Sequence, residues 1–140
     1  MEEFSEEVIT FLSDGTRTGM LGYVGADGRP LVAPVWFMVD GNQLVFTTHK
    51  QSAKGRALVR DPRVVMCVDD PHPPYSFVQV QGTASTGEDP GELLDATTRL
   101  GGRYMGADRA EEYGRRNAVP GELIVRITPT KVVEGFKITD

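Results

Sequence analysis

The sequence predicts a mainly β protein, a small antiparallel barrel of six strands with flanking helices. Three observations carry that expectation. Six segments have the residue types and alternation of partly buried strands. Between them stand Gly, Asp, Asn and Pro clusters that read as tight turns, in a chain with 16 glycines and 9 prolines. Helical spacing is confined to a few stretches, and many short strands with few helices favour a closed or nearly closed sheet. The chain has 140 residues, 39% hydrophobic and 25% charged. That is the make-up of an ordinary soluble globule, long enough for its own core, and a single domain over 1–140 is expected.

The elements follow in order. Ser5 is placed to cap a short helix from Glu6 to Leu12, whose first-turn acids suit the positive end of the helix dipole. Thr18 to Val24 reads as a strand. Gly25-Ala26-Asp27-Gly28-Arg29-Pro30 is turn chemistry, and Leu31 to Val39 is a strong strand with apolar residues on both faces. Asp40-Gly41-Asn42 turns the chain into Leu44 to Thr48. From Gln51 to Arg60 the period becomes helical, and Asp61-Pro62 stops it. Arg63 to Asp69 is the next strand. Pro71, Pro73 and Pro74 forbid regular pairing before Tyr75 to Ala84. Asp89 or Pro90 opens a long helix through about Tyr104, expected to plug or cover one barrel opening, and a short helix follows near Asp108 to Arg116. Gly121 to Ile127 and Lys131 to Lys137 form the last strand, bent or bulged near Pro129.

Composition excludes several classes. The net charge of −5 argues against a nucleic-acid coat, although an acidic average leaves room for a local basic pocket. Cys67 is the single cysteine, so no disulfide framework forms within the chain. No apolar run approaches the ~20 residues of a membrane span. The acidic start Met1-Glu2-Glu3-Phe4-Ser5-Glu6-Glu7 is unlike a secretory signal, and a cytoplasmic protein is expected. His49 and His72 are the only histidines and have no metal-ligand spacing, so no metal site is expected. There is no Gly-x-Ser-x-Gly elbow and no P-loop. Cys67 reads as a small apolar residue, and Asp69-Asp70 as a solvated turn. With no convincing nucleophile or general base, catalytic residues stay unassigned. An enzyme built on this chain would borrow its chemistry from a cofactor.

Three constellations remain. Lys50 to Arg63 holds the cations Lys50, Lys54, Arg56, Arg60 and Arg63 and the acid Asp61, a local charge of +4 in an acidic chain. It begins where a strand gives way to a helix, and the unpaired N–H groups of a helix N-terminus attract anions such as phosphate. Lys50 and Lys54 bracket the first turn and Ser52 adds a hydroxyl; a solvated helix face is the competing reading. Pro34-Val35-Trp36-Phe37 and Phe46-Thr47-Thr48 lie on neighbouring strands, an aromatic ring beside hydroxyls that suits a flat heterocycle with polar edges. Plain core is the competing reading for Trp36. Arg99, Arg103, Tyr104, Arg109, Tyr113, Arg115, Arg116 and Asn117 make a basic, aromatic helical region. It reads either as an exposed face or as a lid or dimer contact that completes a pocket.

Gly28-Arg29-Pro30-Leu31-Val32-Ala33-Pro34-Val35-Trp36-Phe37, Leu44 to Thr48, Lys50-Gln51-Ser52-Ala53-Lys54 and Val80-Gln81-Gly82-Thr83-Ala84 together resemble the pyridoxamine-phosphate-oxidase-like, FMN-binding split β-barrels over essentially the whole chain. Arg103-Tyr104-Met105-Gly106 and Val125 to Val132 look most like the reductases of that superfamily that use the deazaflavin coenzyme F420. The resemblance implies a homodimer with cofactor sites at the subunit interface. It implies phosphate recognition by Lys50, Ser52, Ala53 and Lys54. Pro34, Val35, Trp36, Thr47 and Thr48 would line the deazaflavin ring, and Tyr75, Ser76, Arg116 or Asn117 of the partner chain would close the site. The implied activity is hydride transfer from reduced F420 to a small conjugated or planar substrate. The alternatives are an FMN-binding oxidoreductase of the same fold, or a non-enzymatic carrier of a flavin-like or tetrapyrrole ligand.

Overall fold

A computed structural model describes residues 2–140. The elements are α1 (Glu6–Ser13), β1 (Gly19–Val24), β2 (Pro30–Val35), β3 (Met38–Asp40), β4 (Gln43–His49), α2 (Ala53–Arg60), β5 (Arg63–Asp70), β6 (Ser76–Gly87), α3 (Pro90–Met105), a 3-10 turn (Ala107–Arg109), α4 (Ala110–Asn117) and β7 (Glu122–Gly135). All strands join one antiparallel sheet in the order β2-β1-β5-β6-β7-β4-β3.

The sheet has seven strands in an open order where six were expected. The segment Leu31 to Val39 breaks at Trp36–Phe37 into β2, paired with β1, and β3, paired with β4. The break has a specific cause. The Phe37 N–H donates to the Tyr104 hydroxyl at 3.2 Å, and the Phe37 carbonyl accepts from Arg103 at 2.6 Å. Side chains of α3 thus take the backbone groups that a continuous strand would use. Consecutive strands therefore form opposite edges of one sheet. Val35 and Met38 lie at most about 11 Å apart along the chain, so the sheet must curl until its edges nearly meet at Trp36.

The inward positions form the main core, with Leu21, Phe37, Phe46, Met66, Val80, Val125 and Ile127 among them. Val8 and Leu12 of α1 and Ala57 and Leu58 of α2 belong to the same cluster. The long helix α3 does not fill the barrel. Its Leu93, Ala96 and Leu100 pack on Met38, Val45 and Ile124, on the outer face of β3, β4 and β7. Strand alternation explains the division, since Val45 and Ile124 point away from their inward neighbours Leu44, Phe46, Leu123 and Val125. The sequence placed this helix in or over a barrel opening, and it covers the outer face of the sheet instead.

The bend expected near Pro129 is a β-bulge. Gln81 pairs with Lys131 and Gly82 with Pro129, so Thr130 is the extra residue, and its hydroxyl bonds to the Gln81 carbonyl at 3.1 Å. A short loop turns α3 back into α4, and the two helices pack closely. The Thr97 hydroxyl donates to the Gly114 carbonyl at 3.0 Å, and a Cβ at Gly114 would strike Thr98. This return carries Asn117 toward the end of β4. Among the described residues no helix is long and apolar enough to cross a membrane.

Candidate functional site

The site starts where β4 ends. Thr47, Thr48 and His49 finish the strand, and the chain turns through Lys50–Ser52 into α2. Ser52 is the N-cap. Its hydroxyl donates to the His49 carbonyl at 2.7 Å, accepts from the Gly55 N–H at 3.0 Å and lies 3.0 Å from the Thr48 hydroxyl. Its one hydrogen is thus committed to the His49 carbonyl, and Ser52 shapes the helix start. The Ala53 and Lys54 N–H groups have no acceptor among the described residues. Gly55 permits the tight turn, because a Cβ there would overlap the His49 carbonyl oxygen. Ser52→Ala is expected to cost about 1 kcal/mol of stability by loss of the cap, measured by urea unfolding. An unchanged midpoint would show that the cap is dispensable.

A cleft of about 300 Å³ opens beside this helix start. It is lined by Pro34, Val35, Trp36, Thr47, Thr48, Lys54 and Asn117, all expected from sequence, and by Thr97, Leu100 and Glu122, which were not. Trp36 is stacked on Tyr104, with ring centroids 4.9 Å apart and planes within 4°, and Tyr113 sits 6.1 Å away at 54°. The Trp36 ring packs against the α3 cluster and also walls the cleft. Arg103 fixes this wall. Its guanidinium donates to the carbonyls of Phe37 (2.6 Å), Leu12 (2.7 Å) and Gly15 (3.1 Å) and lies over the Phe37 and Tyr104 rings. The Tyr104 hydroxyl donates to the Arg17 carbonyl at 2.8 Å, and burial pushes its pKa up. Of the basic, aromatic region, then, Arg103 and Tyr104 are framework.

The other expected residues separate. Asn117 reaches the cleft within the same chain, where the partner chain was expected to supply it. Arg116 lies over the Tyr113 ring at 5.3 Å, one residue before Asn117. Lys50 faces a neighbouring groove and pairs with Glu88 at 3.5 Å. Tyr75 is exposed at the far end of β6, about 40 Å of strand from Gly87, which pairs with Ile124 near the cleft. Within one chain it is remote from the site.

Glu122 had no sequence signal beyond being an acid at the start of a strand. It pairs with His49 across β4 and β7, and the Lys50 N–H donates to the adjacent Gly121 carbonyl at 2.8 Å. Burial raises its carboxyl pKa, an effect partly offset by the Thr47 hydroxyl, His49 and the Lys54 ammonium. Thr97 and Leu100 were legible only as the apolar stripe of a helix. Among the described residues no group of His, Cys, Asp and Glu is placed to hold a metal ion.

A family model described as pyridoxamine 5'-phosphate oxidase matches residues 4–134. The chain belongs to the pyridoxamine 5'-phosphate oxidase family. Among solved structures, a conserved hypothetical protein, Rv2991, from Mycobacterium tuberculosis is 25% identical with a TM-score of 0.83, over 99% of this chain and 92% of that one. A protein described as F420 reductase is 29% identical with a TM-score of 0.69, over 95% of this chain and 98% of that one. HutZ from Vibrio cholerae, described as a heme storage protein, is 17% identical with a TM-score of 0.73, over 99% and 100% of the two chains. That last likeness is one of fold alone. No curated protein matches the sequence.

The site of this pyridoxamine 5'-phosphate oxidase family member fits a flat ring with a phosphate tail. Trp36 and Pro34 give a rigid wall and Thr47 and Thr48 polar edges. The Ala53 and Lys54 N–H groups without acceptors and the Lys54 ammonium lie at the positive end of α2, where they could hold the phosphate.

Proposed function

We propose that the protein is an F420H2-dependent oxidoreductase that reduces a small conjugated or planar substrate. The observation that carries the reading is the cleft itself, which sets the unpaired helix start with Lys54 beside the wall of Pro34, Val35 and Trp36. The likeness to an F420 reductase supports the deazaflavin over other ring cofactors. The family description keeps FMN as the second reading.

When bound, reduced F420 supplies a hydride from its C5 carbon. The chain's own part is placement. The N-terminus of α2 and Lys54 hold the phosphate, Trp36 and Pro34 keep the ring flat, and Thr47, Thr48 and Asn117 offer hydrogen bonds to its polar edge. The apolar wall keeps water from the reacting face, and positioning of this kind lowers the barrier without a covalent intermediate on the protein. Titration of the purified protein with oxidised F420 and, separately, with FMN tests the reading, with Trp36 fluorescence as reporter. Tight F420 and weak FMN binding is expected. FMN preference would move the protein to the flavin branch, and binding of neither would sink both readings.

The working unit in this proposal is a homodimer. The outer face of β2, β1 and β5 is apolar, with Val32 at 65% and Met20 at 39% exposure beside Val65 and Cys67. Pro34 pairs with Met20 on that face and also lines the cleft, so a second copy seated there would reach the cleft mouth. A contiguous apolar surface of this kind is the usual mark of a covered face. Val32→Asp is expected to shift the protein to monomer in light scattering and to weaken cofactor binding with it. A dimer unaffected by the aspartate would place the contact elsewhere.

A further inference from the structure

Glu122 is the only acid, and Lys54 the only cation, among the described residues that line the cleft. A helix start with a bare lysine would favour the most highly charged phosphate available. A carboxylate in the same cleft opposes that preference. Each added negative charge on a ligand is drawn to Lys54 and repelled by Glu122, in a part-buried place where solvent screens weakly. Pairing with β4 and the Lys50 to Gly121 hydrogen bond fix the Glu122 backbone at the edge of the cleft. Around it stand His49 and Thr47 from β4, Lys54 from α2, the uncharged Thr97 and Leu100 from α3, and Asn117 at the end of α4. Lys50, Glu88 and Arg115 face it across a neighbouring groove of about 720 Å³, which Glu122 also lines. Lys50 is engaged by Glu88 at 3.5 Å and Arg115 by Glu111 at 3.8 Å, which leaves Lys54 as the cation aimed at the cleft.

From this arrangement we infer that Glu122 is a specificity-determining residue, one that turns the cleft toward a singly charged phosphodiester and away from a doubly charged phosphomonoester. The inference rests on reading the cleft as the cofactor site and deepens it. F420 carries its phosphate as a diester with one charge, whereas FMN carries a monoester whose second ionisation falls near pH 6. At the phosphate position Glu122 thereby favours the diester by charge, apart from any contact with the ring. As pH rises through the second ionisation of the monoester, FMN gains a charge that Glu122 repels and its affinity falls, while the charge on the diester stays the same.

The test titrates wild type, Glu122→Gln and Glu122→Asp with FMN and with oxidised F420 between about pH 5.5 and 8, which brackets the phosphate ionisation. Trp36 fluorescence is the readout. At the upper pH, Glu122→Gln is expected to tighten FMN about tenfold and F420 about threefold, and to flatten the fall of FMN affinity with pH. Glu122→Asp, which keeps the charge, is expected to keep the wild-type ratio of the two affinities. If wild type binds no FMN, Glu122→Gln must acquire binding for the inference to stand. Equal changes for both ligands, weaker FMN binding in Glu122→Gln, or a ratio that Glu122→Asp alters as much would overturn it. Binding of FMN but never F420, with the Glu122→Gln gain present, would remove the F420 reading and leave the role of Glu122 intact. Binding of neither ligand to any variant would overturn both.

Discussion

Arg103→Ala is expected to lower the unfolding free energy by about 3 kcal/mol, read from urea unfolding. One guanidinium satisfies the carbonyls of Leu12, Gly15 and Phe37. Those three carbonyls lie at the end of α1, in the loop before β1 and at the break between β2 and β3. A net value of about 1 kcal/mol for each half-exposed bond is a conservative reckoning, and it leaves out the packing of the guanidinium on Phe37 and Tyr104. Burial lowers the Arg103 pKa, yet a guanidinium stays charged, and its three carbonyl partners offset part of the cost of burying it. Arg103→Lys should recover less than half of the loss, because an ammonium cannot span three carbonyls with a planar fork. The change should also weaken cofactor binding, since the Phe37 carbonyl positions Trp36. A fully stable Arg103→Ala variant would show that the sheet edges are held together by the chain alone.

Lys54→Ala is expected to weaken F420 binding by about 1.5–3 kcal/mol, or 10- to 150-fold, the usual worth of a charge-assisted contact to phosphate. Lys50→Ala should change it by less than about threefold, since Lys50 is exposed, faces the adjoining groove and is paired with Glu88. The contrast is the informative part. Sequence charge treats the two lysines alike, whereas the turn at Ser52 sends their side chains to different clefts. Equal losses at both positions would mean that the anion lies over the Lys50–Ser52 turn and not at the start of α2. Isothermal titration with F420 separates the outcomes.

Much of this architecture was legible in the residues. The cap at Ser5, the stop at Asp61-Pro62, the turns at Gly28 and Gly41 and the bend near Pro129 are local chemistry. Each depends on side chains within a few positions of one another, and each occurs where expected. The cleft residues of β2, β4 and α2 were legible for the same reason, because turns bring neighbouring strands and the next helix together.

What sequence alone determined is therefore the β-rich class, most strand and helix positions and the local excess of cations around α2, all set by short-range propensity and charge. Tertiary structure alone decided the rest. The run from Leu31 to Val39 has no sequence signal for a break, because the groups that interrupt it, Arg103 and Tyr104, stand more than 60 residues later. Alternation also cannot say which face of the sheet receives α3, because both faces of β4 are apolar. Glu122 looks like any acid at a strand start until the β4–β7 pairing sets it beside His49 and the fold of α2 brings Lys54 into the same cleft. A carboxylate acquires its function from the charges and the solvent around it, and those are fixed only when distant segments pack.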